Sequence, residues 1–194
     1  MSSKYHDIFE EGLYYHVFNR TINKELLYRS DQNYNFFLNQ WNKYFDSFLS
    51  VMAYCLMPNH FHFFVRVNPL EIDDINKYLE EKFKRFLSSY TLAFNKQYRR
   101  NGSLFQKRFK RIHVDKNDYF TKIIHYIHNN PVHHGITNSV ENWKYNSYRA
   151  IISNQATKVC KNDVLKWFGG EKEFVKFHKN YANHMEIENL ICHE

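Results

Sequence analysis

Two stretches with apolar side chains at helical spacing are each bracketed by short apolar runs of strand length. This alternation is the strongest constraint on the fold. Residues 13–19 (LYYHVFN) are aromatic and β-branched and read as a strand. Residues 31–49 carry Tyr34, Phe37, Leu38, Trp41, Tyr44, Phe45 and Phe48 at i, i+3, i+4 intervals, the pattern of an amphipathic helix. Residues 50–56 and 61–67 are two apolar runs joined through Met57-Pro58-Asn59, which reads as a β-hairpin. Asn68-Pro69 is the expected start of a second helix, with a core stripe of Ile72, Ile75, Leu79, Phe83, Phe86, Tyr90 and Phe94. After a loop at 99–103 (RRNGS), residues 104–114 read as another strand. Asp115 is a candidate N-cap for a helix over 116–129, closed by Pro131.

The order is β-α-β-β-α-β-α. It predicts an α+β fold: a ferredoxin-like split β-α-β antiparallel sheet, with one helix-covered face and one helix added. Residues 1–135 are expected to form this domain. Residues 136–194 are expected to pack on it as a C-terminal helical extension. They carry an aromatic cluster at Trp143, Tyr145 and Tyr148, a short helical pattern near 164–168, then Gly169-Gly170. A last amphipathic helix would use Phe174, Phe177 and Tyr181.

Composition narrows the class. A chain of 194 residues with 19% aromatic side chains, 5 Gly and 3 Pro can bury a real core, which argues against disorder. The formal charge of +7 favours a polyanionic partner. The 3 cysteines, Cys55, Cys160 and Cys192, show no CxxC spacing and read as reduced thiols. The first residues, MSSKYHDIFEEG, lack the apolar stretch of a signal peptide, and no 18-residue apolar run occurs. A cytoplasmic protein without a membrane span is the expectation.

Three features could carry chemistry. His60-Phe61-His62 opens a strand, where side chains at i and i+2 share a face, so two imidazoles could address one metal ion. A pair of surface or cross-strand histidines would give the same pattern in a chain with 12 His. The second feature is Tyr126-Ile127-His128-Asn129-Asn130-Pro131. On its helix Tyr126 lies about 110° from the middle of the apolar stripe Phe120, Ile123, Ile124 and Ile127. It belongs to a polar stripe with Tyr119, Lys122 and Asn130. Tyr126 and Asn130 are one turn apart and can address one point. Asn130 precedes a proline, at a frayed helix end from which its side chain could reach. With 15 tyrosines in the chain, Tyr126 could also simply pack with its hydroxyl in water. The third feature is charge, with eleven basic residues and one acid, Asp115, over 82–116. Residues 82–94 read as a solvated basic helix face. Arg99, Arg100, Lys107, Arg108, Lys110 and Arg111, interleaved with Tyr98, Phe105 and Phe109, read as a nucleic-acid contact, because cations neutralise phosphates and aromatic faces stack on unpaired bases.

Taken together these stretches resemble the single-tyrosine, His-hydrophobe-His transposases of insertion sequences, and most of all the REP-associated tyrosine transposases. The matching stretches are Tyr15-His16-Val17-Phe18-Asn19-Arg20, Met57-Pro58-Asn59-His60-Phe61-His62, Gly102-Ser103-Leu104-Phe105-Gln106-Lys107-Arg108-Phe109 and Tyr126-Ile127-His128-Asn129-Asn130-Pro131-Val132. Trp143, Ser147 and Tyr148 match a W-x-x-x-S-Y element. The resemblance covers residues 10 to 150. It implies His60 and His62 as metal ligands, Tyr126 as nucleophile and Asn130 as third ligand, with His128 and His133 as nearby competitors. A His-His-amide set suits Mg²⁺ or Mn²⁺ better than zinc. The implied activity is a metal-dependent transposase that nicks and rejoins hairpin-flanked single-stranded DNA through a 5′-phosphotyrosine intermediate. The resemblance leaves monomer and homodimer both open.

Two other readings compete. One is a non-catalytic nucleic-acid-binding protein on the same sheet, such as a domesticated transposase, although the aromatic signature of RNA-recognition sheets is not evident. The other is a metal-dependent hydrolase without covalent chemistry, which lacks the expected carboxylates or further histidines.

Overall fold

The computed structural model describes residues 5–115 and 117–180. Four strands form one antiparallel sheet: β1 (Tyr14–Arg20), β2 (Leu49–Met57), β3 (His60–Val67) and β4 (Lys110–His113), in the order β2-β3-β1-β4. Helices α1 (Asp31–Phe45) and α2 (Ile75–Tyr98) provide the two crossovers, so the split β-α-β order is that of a ferredoxin-like domain. It is followed by α3 (Asn117–His133), α4 (Tyr148–Ile152), α5 (Lys161–Phe168) and α6 (Glu171–Asn180). No helix among the described residues is long and apolar enough to cross a membrane.

The sheet is covered on both faces, not one. Side chains alternate along a strand, so Tyr15, Val17, Phe61, Phe63, Val65 and Val67 meet α1 and α2 on the first face. Phe18 and Phe64 meet Phe120, Ile123, Ile124 and Ile127 of α3 on the second, with Tyr148, Val164, Phe168 and Phe174 behind them. A β-bulge in β2 between Val51 and Ala53 shifts the register. Leu49 packs in the first core, whereas Ala53, Cys55 and Met57 turn to the second. The bulge therefore sets Cys55 opposite His62 and Met57 opposite His60 on the second face.

Several expected boundaries shift for identifiable reasons. Helix α1 stops at Phe45 because Leu49 is claimed by pairing with Val67. Helix α2 starts at Ile75, capped by the Asp74 carboxylate accepting from the Lys77 N–H, and not at Asn68-Pro69. Asn68 instead ties the loop, accepting from the Ser50 hydroxyl and donating to the Ser47 carbonyl. Strand β4 keeps only four of the residues expected over 104–114, because Arg108 adopts the left-handed conformation (φ 61°) and breaks the run. Helix α3 continues past Asn129, with Pro131 inside its last turn. Lys116, Tyr181 and Cys192, named in the sequence expectations, lie outside the described residues.

Residues 136–180 are built into the fold. The Ser147 N–H donates to the Tyr54 carbonyl, Leu56 N–H to Tyr145, and Cys160 N–H to Val51, so this segment runs along the outer edge of β2. An unpaired edge strand would otherwise expose its backbone groups to other chains.

Candidate active site

Strand alternation puts His60 and His62 on the second face of β3, a strand with neighbours on both sides. Their rings stand edge to face, with centroids 5.0 Å apart. The His60 Nδ1–H donates to the Asn59 side-chain oxygen at 2.7 Å, which leaves Nε2 as its lone-pair nitrogen. That Nε2 is buried and has no hydrogen-bond partner among the described residues. Burial first, then the nearby His134, pushes the His60 pKa down to about 4. The ring is therefore neutral at pH 7, the form a metal ion needs.

Helix α3 crosses this face and brings two side chains to the histidines. Tyr126 stands edge-on to His62 and to His16, with centroids 5.8 and 6.2 Å away. It is 2% exposed, whereas the helical pattern put it on the flank of the apolar stripe. The cause is that its stripe of α3 faces the sheet, against His16 of β1 and His62 of β3. Asn130 is also buried, and not free at a frayed end. Its amide NH₂ donates to the Tyr126 carbonyl at 3.2 Å, and its side chain lies beside the His60 imidazole, partly offsetting the effect of burial there.

The competing ligands go elsewhere. His128 is spent on Ser147 (2.7 Å) and His178 (3.0 Å), on the far side of α3. His133 is exposed, and His134, which the sequence reading missed, is closer to the site, with its ring 5.6 Å from His60. Among the described residues no group of three His, Cys, Asp or Glu side chains could hold a metal. The donors present are two neutral imidazoles and an amide. With the orphaned Nε2 of His60, those donors would fit a divalent ion.

Another residue was missed. His16 of β1 is fully buried and its Nε2 lies 2.9 Å from the His62 Nδ1. Burial depresses its pKa to about 3. The quoted stretch 15–20 contained it, but only sheet register shows that β1 lies beside β3.

Around the histidines the surface is cationic. A small hollow lined by Arg20, His60, His62, Gln106 and Lys110 opens toward a cleft of about 610 Å³. Arg20, Lys24, Asn59, His60, Gln106 and His134 line that cleft. The Lys110 ammonium sits over the rings of Tyr5 (4.8 Å) and Phe18 (5.5 Å).

The six basic residues expected to bind nucleic acid divide. Arg99, Lys107 and Arg108 are exposed. Arg100 is not available: it forks onto both carboxylate oxygens of Glu25 (2.7 and 2.8 Å) and donates to the Ser103 carbonyl. Arg111 is engaged as well. Only 4% of its side chain is exposed, its guanidinium bonds Glu80 at 2.6 Å and the Asp7 carbonyl, and it lies over the Phe9 ring. Short-range sequence cannot reveal this, because both partners are distant in the chain.

Comparison with known proteins bears on the family and the fold. The family model described as "Transposase IS200 like" matches residues 10–130. A Haemophilus influenzae protein that carries the name REP-associated tyrosine transposase is 32% identical over 104 residues, 50% of this chain and 57% of that one. The chain thus spans little more than half the length of that relative. A solved structure of a REP-associated tyrosine transposase bound to a REP hairpin superposes with a TM-score of 0.63 and 19% identity. That match covers 87% of this chain and 97% of the other, and it is evidence for the fold alone.

Proposed function

The chain belongs to the IS200-like transposase family, and on that premise we propose that it cuts and rejoins single-stranded DNA through Tyr126. The observation that carries the reading is the meeting of His60 and His62 from β3 with Tyr126 and Asn130 from α3 in one buried space. Nothing in local sequence obliges two imidazoles, a phenol and an amide to meet there.

In this reading His60 and His62 would hold a divalent ion, Mg²⁺ or Mn²⁺, and Asn130 would add its amide oxygen. The Asn130 NH₂ is occupied by the Tyr126 carbonyl, so the oxygen is the end turned toward His60. The ion would supply Lewis-acid withdrawal of charge from a phosphate held there. The Tyr126 oxygen forms a bond to phosphorus as the bond from phosphorus to the 3′ oxygen breaks. The phenol gives up its proton, the departing 3′ oxygen takes one, and the 5′ phosphate remains on Tyr126. Attack by a 3′ hydroxyl on that phosphotyrosine reverses the bonds and reseals the strand without ATP. A phenol ordinarily titrates near 10, so its attack at neutral pH depends on this setting.

The DNA would lie along the cationic cleft, with Arg20, Lys24 and Lys110 on phosphates near the histidines. Arg99, Lys107 and Arg108 would hold flanking DNA. By analogy with the hairpin-bound relative, that flank is a DNA hairpin.

The test is Tyr126→Phe, which removes only the attacking oxygen. It should abolish the covalent adduct with a single-stranded oligonucleotide carrying a hairpin while leaving affinity nearly unchanged. An adduct that persists in this variant would overturn the reading and turn attention to Tyr119.

A further inference from the structure

We infer that His16 is a positioning residue for the metal site: by accepting the Nδ1 proton of His62, it holds that ring in the tautomer whose Nε2 can bind a divalent cation. The inference rests on the reading of His60 and His62 as ligands. Because β1 pairs with β3 so that Phe18 faces His62 and His16 faces Phe64, His16 and His62 are diagonal neighbours on the second face. Their rings are nearly parallel, 10° apart with centroids at 5.1 Å, and the Nε2 to Nδ1 distance is 2.9 Å.

That bond carries a single proton between two neutral rings. If the proton sits on His16, neutral His62 must keep its own proton on Nε2, and that nitrogen has no lone pair for a metal. If it sits on His62 Nδ1, the His62 Nε2 keeps its lone pair and His16 carries its proton on Nδ1. Ligation therefore selects the second arrangement. His60 shows the same device, with its Nδ1–H held by Asn59 at 2.7 Å. Metal-bound histidines commonly donate their other N–H in this way, and the acceptor fixes both tautomer and ring orientation.

His16 stacks on Phe18 at 4.6 Å and packs against His62 and Tyr126, and its Nδ1 is buried without a hydrogen-bond partner among the described residues. A buried polar atom left unpartnered is uncommon and calls for an explanation. What an imidazole adds here over a phenyl is one acceptor, aimed at His62.

The experiment combines two measurements. In the metal-free protein, long-range ¹H–¹⁵N correlation of histidine rings should show His62 protonated on Nδ1, and the Nε2–H form should appear in His16→Phe. By calorimetry with Mn²⁺, His16→Phe should bind roughly 10- to 100-fold more weakly, and His16→Gln, whose amide oxygen can accept near the same point, should recover most of the loss. His62 protonated on Nε2 in the unaltered protein would overturn the inference, and so would undiminished Mn²⁺ binding by His16→Phe. His62→Ala separates the two levels. If it loses Mn²⁺ while His16→Phe does not, only the positioning role falls. If it binds Mn²⁺ as the unaltered protein does, the ligand reading falls and takes this inference with it. Should His16→Phe fail to fold, the tautomer of His62 in the unaltered protein still decides.

Discussion

At the scale of single residues, the basic segment over 99–111 shows how one kind of side chain serves two purposes. Arg111 works inside the fold. It ties β4 to α2 through Glu80 and Asn76 and to the N-terminal segment through the Asp7 carbonyl. Arg99, Lys107 and Arg108 point into solvent. Arg111→Ala should therefore lower stability by about 1.5 to 3 kcal/mol, because it removes a buried guanidinium with its charge-assisted hydrogen bonds and its packing over Phe9. Neutralising Arg99, Lys107 and Arg108 together should leave the unfolding midpoint nearly unchanged. It should flatten the log–log dependence of DNA affinity on salt by about 3, on duplex counterion release per contact. Denaturant titration and binding at several salt concentrations read both. A triple variant with the original salt slope would move the DNA path away from this loop.

At the scale of elements, α3 is the hub, because it touches the sheet on one side and α6 on another. A chain of polar contacts crosses it. The His178 Nδ1–H donates to the Phe174 carbonyl at 2.9 Å, so its Nε2 accepts from His128 Nδ1–H at 3.0 Å. His128 Nε2 then accepts from the Ser147 hydroxyl at 2.7 Å, and Ser147 accepts from the Tyr54 N–H of β2 at 2.9 Å. The His128–His178 link needs an acceptor at His178 Nε2 and so a neutral His178 ring, and burial holds His128 well below its ordinary value and His178 down to about 4. The folded pKa values lie below the unfolded value, so this contribution to stability is complete above about pH 6.5 and is lost as pH falls toward 4. Full loss for His178 alone would be on the order of 3 kcal/mol. Unfolding midpoints measured from pH 7.5 to 4.5 should fall, and His178→Gln should shallow that decline by up to about 1.4 kcal/mol per pH unit. An unchanged slope in the variant would mean that His178 takes up its proton alike in the folded and unfolded chain.

At the scale of the whole molecule, the second core joins the sheet to residues well beyond the stretch that the family model matches. Tyr148, Ile151, Val159, Val164, Phe168 and Phe174 pack in the same cluster as Met52, Phe64 and Ile124. Removing residues 136–194 would expose that apolar face and unpair the outer edge of β2. The truncated chain should lose its cooperative thermal transition and aggregate, since an uncovered edge strand templates further pairing. A truncated chain that still unfolds in one sharp transition near the original temperature would show that residues 1–135 are self-sufficient.

Periodicity alone was enough for the element order and for the two-fold alternation of β3 that puts His60 and His62 side by side. These are local properties, set by the 2.0 and 3.6 repeats of the backbone. The offset of Tyr126 and Asn130 on one helix was legible for the same reason. What only the tertiary structure decided was which faces are covered and which groups are spent. Tyr126 and Asn130 became buried because their stripe of α3 packs onto the histidines of the sheet. Arg100 and Arg111 were taken by Glu25 and Glu80, carboxylates from other elements. His16 acquired its place because β1 pairs with β3, a register formed between residues 46 positions apart. The cost of burying a polar group depends on its partner, and partners across a sheet are not written in any short window of sequence.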